Sequence, residues 1–418
     1  MTETDHDASR ATATDHHASA VTLTRTGTCA LGAQGTSEAP TATGKQSVPK
    51  TPSAPGALLV VGDVITDVVA RHRAPLAPGT DTAATVRTLP GGAGANVACW
   101  AAHCGCADVR LLGRVGAESA AWHEQALTAS GVRPRLVVDP EAPTGTVICL
   151  VDAGASAERT FLTDSGASLR LSPADWSPSL LDGVARLHLS GYLCFSEPSR
   201  AVVRTAVASA RARGVPVSMD PASTGFLEGL GADRFLELAE GIDALLPSGD
   251  EARWLTGLPD DVDAAAELSR RFPLVVVKRG AEGAVVARAG AVRARIPAVT
   301  ATARDTTGAG DAFTGAFLTA LLRGAEAEAA AIEGCRAGAQ AVQLVGARPE
   351  TAPAQAPSAD SAARDASAPS APSTPEAFAR KGSAQEGSAQ EGSAQEGSAQ
   401  EGTAQEGSAW GQGSVLGR

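Results

Sequence analysis

The sequence predicts an α/β protein: a three-layer α/β/α domain on a mostly parallel central sheet, with a small β-lid standing off it. Three observations carry this. Short β-branched runs alternate with Ala-rich stretches of helical pattern, at the spacing of βαβ crossovers. Two regions, about 67–90 and 135–163, break that rhythm with alternating strand-like segments and no helix between them. Two Gly-rich turns, GGAGANVA at 91–98 and TGAGDAF at 307–313, open directly into helical pattern.

Composition sets the limits of the folded part. Of the 418 residues, 1–55 contain almost no apolar run and 351–418 are dominated by Ala, Ser, Gly, Gln, Pro and Glu. Such mixtures bury too little surface to offset chain entropy, so both ends are expected to be disordered, and 56–350 to form one domain. The C-terminal extension repeats GSAQE five times from Gly382 to Glu406, with Thr403 replacing Ser once. Units this short and polar cannot stack, and a flexible appendage is expected. The net charge is −11, of which 13 acids against 8 bases outside 56–350 contribute −5. The remaining −6 leaves no basic face for nucleic acid or anionic lipid. No secretory signal is visible, and no apolar run approaches the roughly 18 residues of a membrane helix. Seven cysteines without paired spacing suit a reducing compartment. A cytoplasmic protein with no nucleic-acid or membrane partner is expected.

In chain order, ALLVV (57–61) is the first strand, and GDVITD (62–67) places Asp67 at a strand's carboxyl end, where open α/β sheets bind ligands. The lid segments are TAATVRTL (82–89), RLVVD (135–139), TVICLV (146–151) and RTFLT (159–163). They could close over a site and exclude water. Between them, Gly91, Gly92 and Gly94 permit close backbone approach, and the Asn96 amide offers a donor and an acceptor, an inventory that suits a neutral polyol. VRLLG (109–113), RLHLS (186–190), VPVSMD (215–220), DALLP (243–247) and LVVVK (274–278) continue the main sheet. The last turn, DTTGAGDAFTGAFLTALL (305–322), opens an amphipathic helix with Phe313, Phe317 and Leu321 at helical spacing. Amides of Gly308, Ala309 and Gly310 at its start imply an anion site. Asp311 would repel an anion there, but makes sense as a base that deprotonates an attacking hydroxyl. The plain alternatives are a first-turn Asp complementing the helix dipole and, for Asp67, a solvated turn residue.

GDVITD, GGAGANVA, VVVKRGAEGAVV (275–286) and DTTGAGDAFTGAF, in this order, resemble the ribokinase-like (PfkB) carbohydrate kinase family over residues 57–349. The resemblance implies ATP-dependent phosphorylation of a hydroxyl of a free sugar with Mg2+. Asp311 is then the general base and the Gly308, Ala309 and Gly310 amides form the anion hole. Asp67, Gly91, Gly92, Asn96 and Arg159 hold the substrate, while Lys278, Gly280, Gly283, Gly310 and Ser248 lie along the nucleotide. Glu251 organises magnesium through water, and Asp305 and Thr307 match positions that give oxygens to a monovalent cation, usually K+. Lids in this family often pair, which makes a homodimer a candidate assembly.

Three positions depart from the family pattern. Ser248 stands where Asn opens the Asn-x-x-Glu motif, Ala222 where Asn often follows Pro, and Cys335 where some ribokinases carry Asn near the adenine. GGAG in place of the GGKG of sugar-phosphate kinases favours a free sugar, although Arg87, Arg114 and Arg159 could supply positive charge. Hexoses or ketoses stand ahead of ribose, and nucleosides third, because the chain has only eight Phe, five Trp and one Tyr to stack a base. The alternatives are a nucleoside kinase of the same fold and a non-catalytic sugar or nucleotide sensor. Cys99, His103, Cys104 and Cys106 cluster without the second half of a zinc site. Trp100, Trp122, Trp176 and Trp254 are expected to pack.

Overall fold

The computed structural model describes residues 56–152 and 159–349, apart from the side chain of Arg159. The expected disorder of 1–55 and 351–418, with the GSAQE repeats, lies outside the described residues.

The chain enters on β1 (Ala57–Val61), leaves the body for β2 (Ile65–His72) and β3 (Ala84–Gly91), and returns through α1 (Ala93–His103). It continues with β4 (Val109–Gly116), α2 (Ala120–Ala129) and β5 (Val132–Asp139), then makes a second excursion into β6 (Thr144–Asp152) and β7 (Arg159–Gly166). Regular alternation follows: β8 (Val184–Ser190), α3 (Glu197–Ala212), β9 (Val217–Asp220), α4 (Thr224–Leu230), α5 (Ala232–Leu238), β10 (Ala244–Leu245), α6 (Gly249–Thr256), α7 (Asp261–Leu268) and β11 (Leu274–Lys278). The hairpin β12 (Ala284–Arg288) and β13 (Ala291–Ile296) precedes α8 (Ala309–Leu322) and α9 (Ala327–Ala341).

The main sheet has the order β13-β12-β11-β10-β9-β8-β1-β4-β5, parallel except for β12 and β13. Strand β1 lies inside the sheet between β8 and β4, and the order reverses beside it, which puts the ligand crevice at its carboxyl end. Alternation along β1 feeds two layers: Leu58 and Val60 join the core with α1 and α8, Leu59 and Val61 the core with α3. Helices α1 and α8 approach so closely that a Cβ on Gly315 would meet the backbone of Val97 and Ala101. Helix α8 is not amphipathic as its spacing predicts. Ala312 through Ala320 are all buried, because α8 is flanked by α1 and α9 as well as the sheet, and a helix enclosed this way is apolar all round.

The lid is a separate four-stranded sheet, β3-β2-β6-β7. It differs from the sequence expectation in two ways. RLVVD belongs to β5, paired in parallel with β4 at the edge of the main sheet, because a strand that follows α2 directly is returned beside β4 by its crossover. The lid is also mixed: β2–β3 and β6–β7 are antiparallel, but β2–β6 is parallel. Of the tryptophans, Trp100 and Trp176 are buried and Trp254 packs partly, whereas Trp122 is 37% exposed, its ring edge-on to His123 at 4.7 Å.

Candidate active site

The crevice at the end of β1 is organised by Asp63, which the sequence reading passed over in favour of Asp67. Its carboxylate accepts the N–H groups of Ala93 (2.7 Å) and Gly94 (3.2 Å) and the hydroxyl of Ser190 (2.7 Å). An anion is thereby fixed at the start of α1, tying β1, α1 and β8 together. Asp67 is not at a β1 terminus. It is the third residue of β2, carried by the lid, and its carboxylate stands over Gly91, leaving that position no room for a side chain.

Asn96, one turn into α1, joins two elements far away in sequence. Its Nδ2 donates to Asp311 Oδ2 at 2.9 Å, and its Oδ1 accepts Arg348 Nε at 3.1 Å. Arg348 Nη2 donates to the Gly91 carbonyl at 2.7 Å. A guanidinium only donates, so Arg348 holds the amide oxygen and directs the NH2 of Asn96 to Asp311. Arg348 carried no signal in the sequence.

Asp311 sits in the first turn of α8. Gly308 caps that helix at φ 75, a left-handed conformation that favours Gly, and a Cβ there would strike Ala347. First-turn amides have no preceding turn to bond and can face an anion, although the Ala309 N–H also makes a long hydrogen bond to the Thr306 carbonyl at 3.4 Å. Burial pushes the Asp311 carboxyl up to about 7; the Asn96 hydrogen bond opposes this, Asp220 and Asp63 reinforce it, and Lys278 opposes it.

The N-terminus of α8 is a wall shared by two cavities. Thr307, Gly308 and Asp311 line the first, of about 630 Å3; Thr306, Ala309 and Gly310 line the second, of about 510 Å3. Asp63, Asp67, Gly92 and Asn96 also line the first cavity, as do the rings of Phe161, Tyr192 and Phe226, and among the described residues no Lys or Arg does. Tyr192 and Phe226 meet edge to face at 5.3 Å. Burial pushes Asp67 up to about 7, with Arg348 opposing and the negative charges of Asp63 and Asp305 reinforcing. Ala222, another lining residue, has φ 101, a strained conformation for a residue other than Gly.

The structure does not bring every expected residue to this cavity. Gly91 faces Asp67 and Arg348. Arg159 opens β7 opposite Val151, and its side chain lies outside the described residues. Of the positive charges expected from elsewhere, Arg114 is bound to Asp139 (2.8 Å) and Asp175 (2.9 Å), and Arg87 lines a different cavity.

The second cavity is lined by Lys278, Gly280 and Gly283 on one side and by Val299, Phe313, Cys335 and Val342 on the other. Lys278 Nζ donates to Asp220 Oδ2, which also accepts the Thr314 hydroxyl at 3.2 Å. Burial alone would lower the Lys278 pKa, but Asp220 and Glu251 beside it hold the ammonium above its usual range. Ser248 is engaged elsewhere. It caps α6, accepting the Glu251 N–H at 3.2 Å while Glu251 Oε2 accepts the Ser248 N–H at 2.9 Å. Glu251 is only 6% exposed, and burial followed by repulsion from Asp220 pushes it up to about 7 against the pull of Lys278. Asp305 accepts the Thr307 N–H at 2.8 Å and the Gly346 N–H at 3.1 Å, binding the turn before α8 to the turn after α9.

A family profile described as "pfkB family carbohydrate kinase" matches residues 56–354. The chain is 32% identical over 276 residues to a fructokinase from Klebsiella pneumoniae, covering 64% of this chain and 84% of that one. An adenosine kinase from Sinorhizobium meliloti shares the fold with a TM-score of 0.64 at 24% identity, over 71% of this chain and 96% of the other. An Escherichia coli protein solved in complex with ATP and Mg2+ does so with a TM-score of 0.63 at 24% identity, over the same shares of 71% and 96%. Two cavities meeting at a Gly-rich helix start, under a lid, are thus found in a chain that belongs to the pfkB family of carbohydrate kinases and is an ATP-dependent kinase.

Proposed function

We propose that the chain transfers the γ-phosphoryl group of ATP to a hydroxyl of a free, uncharged sugar. The observation that carries the substrate class is the first cavity: three carboxylates, one amide and, among the described residues, no cation line it, so hydroxyls are welcomed and an existing phosphate is repelled. Asp67 and Asn96 hold hydroxyls. Asp311, once ionised, takes the proton from the attacking one, and the amides of Gly308, Ala309 and Gly310 meet the charge that develops on the transferred group.

The second cavity fits a nucleotide. Val299, Phe313, Cys335 and Val342 offer apolar walls to a base, and Gly280, Gly283 and Gly310 leave the backbone bare for phosphates. Lys278 supplies a positive charge on that path. Magnesium also fits, in a particular way. Asp220, Glu251 and Asp311 surround a single ammonium, an excess of negative charge that a divalent cation offsets, yet among the described residues no three acidic, His or Cys side chains are set to grip a metal. The ion would be held by phosphates, with Glu251 and Asp220 acting through water, and when bound would neutralise charge on the transferred group. Ser248 then serves the site by fixing Glu251 rather than by touching nucleotide. A K+ ion near Asp305 and Thr307 belongs to the same reading.

A second reading, a nucleoside kinase, is favoured by Phe161, Tyr192 and Phe226, which bring to one cavity the stacking surface that the low aromatic count argued against. A panel of hexoses, ketoses, ribose and nucleosides assayed for ADP release separates the two; turnover of nucleosides alone would overturn the sugar assignment. The same assay in potassium against N-methylglucamine chloride tests the monovalent ion, with a loss of activity expected without potassium.

Pairing of lids is supported by the face opposite Asp67, where Val86, Ile148 and Leu162 are exposed in adjacent register. Ile148→Asp is expected to convert a dimer to a monomer in sedimentation; a monomeric parent chain would sink this assembly.

A further inference from the structure

We infer that the seam between lid and body carries a second ligand site, for a small polyanion bearing at least two phosphate groups. A cavity of about 690 Å3 lies along β2 from Asp67 and shares no lining residue with either cavity of the active site. Four arginines line it, Arg71, Arg73, Arg87 and Arg304, and among the described residues no carboxylate does.

The gathering of four guanidiniums without counter-charge in one cavity is the argument. In a chain of net charge −11, Arg110, Arg114, Arg170 and Arg279 are each matched to a carboxylate, and described arginines without an ion pair, such as Arg135, Arg186 and Arg288, line none of the three cavities. Among the described residues, none of the four cavity arginines has an ion pair or a side-chain hydrogen bond. Their placement lets them act together. In the β2–β3 register Val69 faces Arg87 and Arg71 faces Thr85, so Arg71 and Arg87 are diagonal neighbours on one face of the sheet. Diagonal neighbours are within reach of long side chains, so one anion can be met by both guanidiniums. Guanidinium forks suit phosphate oxygens, and the cavity has the size of a small-molecule site.

The site draws on both halves of the protein. Arg71 comes from the end of β2, Arg73 from just beyond it, and Arg87 from the edge strand β3 of the lid. Arg304 belongs to the body: its N–H bonds the Val342 carbonyl at 2.7 Å, and it directly precedes Asp305 in the turn that leads to α8. A polyanion bound by both would fasten the lid edge to that turn and favour the closed lid, so that a phosphorylated metabolite tunes the kinase without entering its active site.

The test uses the full chain, inorganic pyrophosphate and isothermal titration calorimetry, and needs no turnover, so it stands apart from the substrate assignment. Pyrophosphate is expected to bind, with affinity that falls as salt rises. Sulfate is expected to bind at least about tenfold more weakly, and Arg71→Gln and Arg304→Gln each to weaken pyrophosphate by about tenfold, the loss of one charge-assisted hydrogen bond. Both side chains are exposed, so the variants should fold, and thermal melts verify it. No binding, equal affinity for sulfate, or pyrophosphate binding unchanged in both variants would each overturn the proposal, the last by placing the anion in the nucleotide cavity.

Discussion

Asp311→Asn is expected to retain sugar binding and to lower turnover by about three to four orders of magnitude, near the upper end of what a positioned general base contributes. The exchange keeps the size and the hydrogen bond to Asn96 within reach while removing the proton acceptor. Because burial raises the Asp311 pKa to about 7, the base is protonated in acid, and the turnover of the parent enzyme should rise with pH and level off above that value. The residual rate of the Asn variant should lose that dependence. Stability supplies an independent reading. A carboxyl whose folded pKa is raised contributes stability that is fully present below its unfolded pKa, near 4, and lost as pH rises through about 7. Asp311→Asn removes that loss, so its melting temperature relative to the parent should climb between about pH 4 and 7 and level off above. Parent-like turnover in the variant would remove the base assignment.

What the sequence made legible was the part written in local pattern. The buried strands ALLVV and LVVVK match β1 and β11 to the residue, because uninterrupted β-branched runs flanked by turns have few other uses. The two Gly-rich helix starts were equally plain. The lid boundary was not, and the reason is physical. Strand β5 is an edge strand with a mixed exposure pattern, so RLVVD alternates like a lid strand although it pairs with β4. Asp63 was masked by Asp67, since both follow β1 and only the fold shows which one takes the amides of α1. Ser248 and Glu251 form an S-x-x-E capping box that reads directly from sequence, and reading the pair only as an altered metal motif hid the simpler role. Arg348 lay beyond any local rule: it meets Asn96 across 252 positions, in a turn with no periodicity.

That contact leads to the second large effect. Arg348→Met is expected to lower turnover at pH 7 by about 10- to 100-fold, the scale of a misplaced catalytic group. Without the guanidinium the Asn96 amide loses the partner that fixes its orientation, and nothing prevents Oδ1 from turning toward Asp311. A carboxylate facing an amide oxygen in place of an N–H loses a hydrogen bond that favours its charged form, so the Asp311 pKa should rise further. The loss of a positive neighbour pushes Asp67 the same way. The turnover profile should therefore shift to higher pH, and part of the lost rate should return in alkali. Arg348→Lys keeps the charge but cannot serve Asn96 and the Gly91 carbonyl with the same fork, so it should correct the Asp67 part of the shift more than the Asp311 part. A residue that only braced the turn after α9 would lower the melting temperature in both variants and leave the pH profile where it was, and that outcome would confine Arg348 to packing.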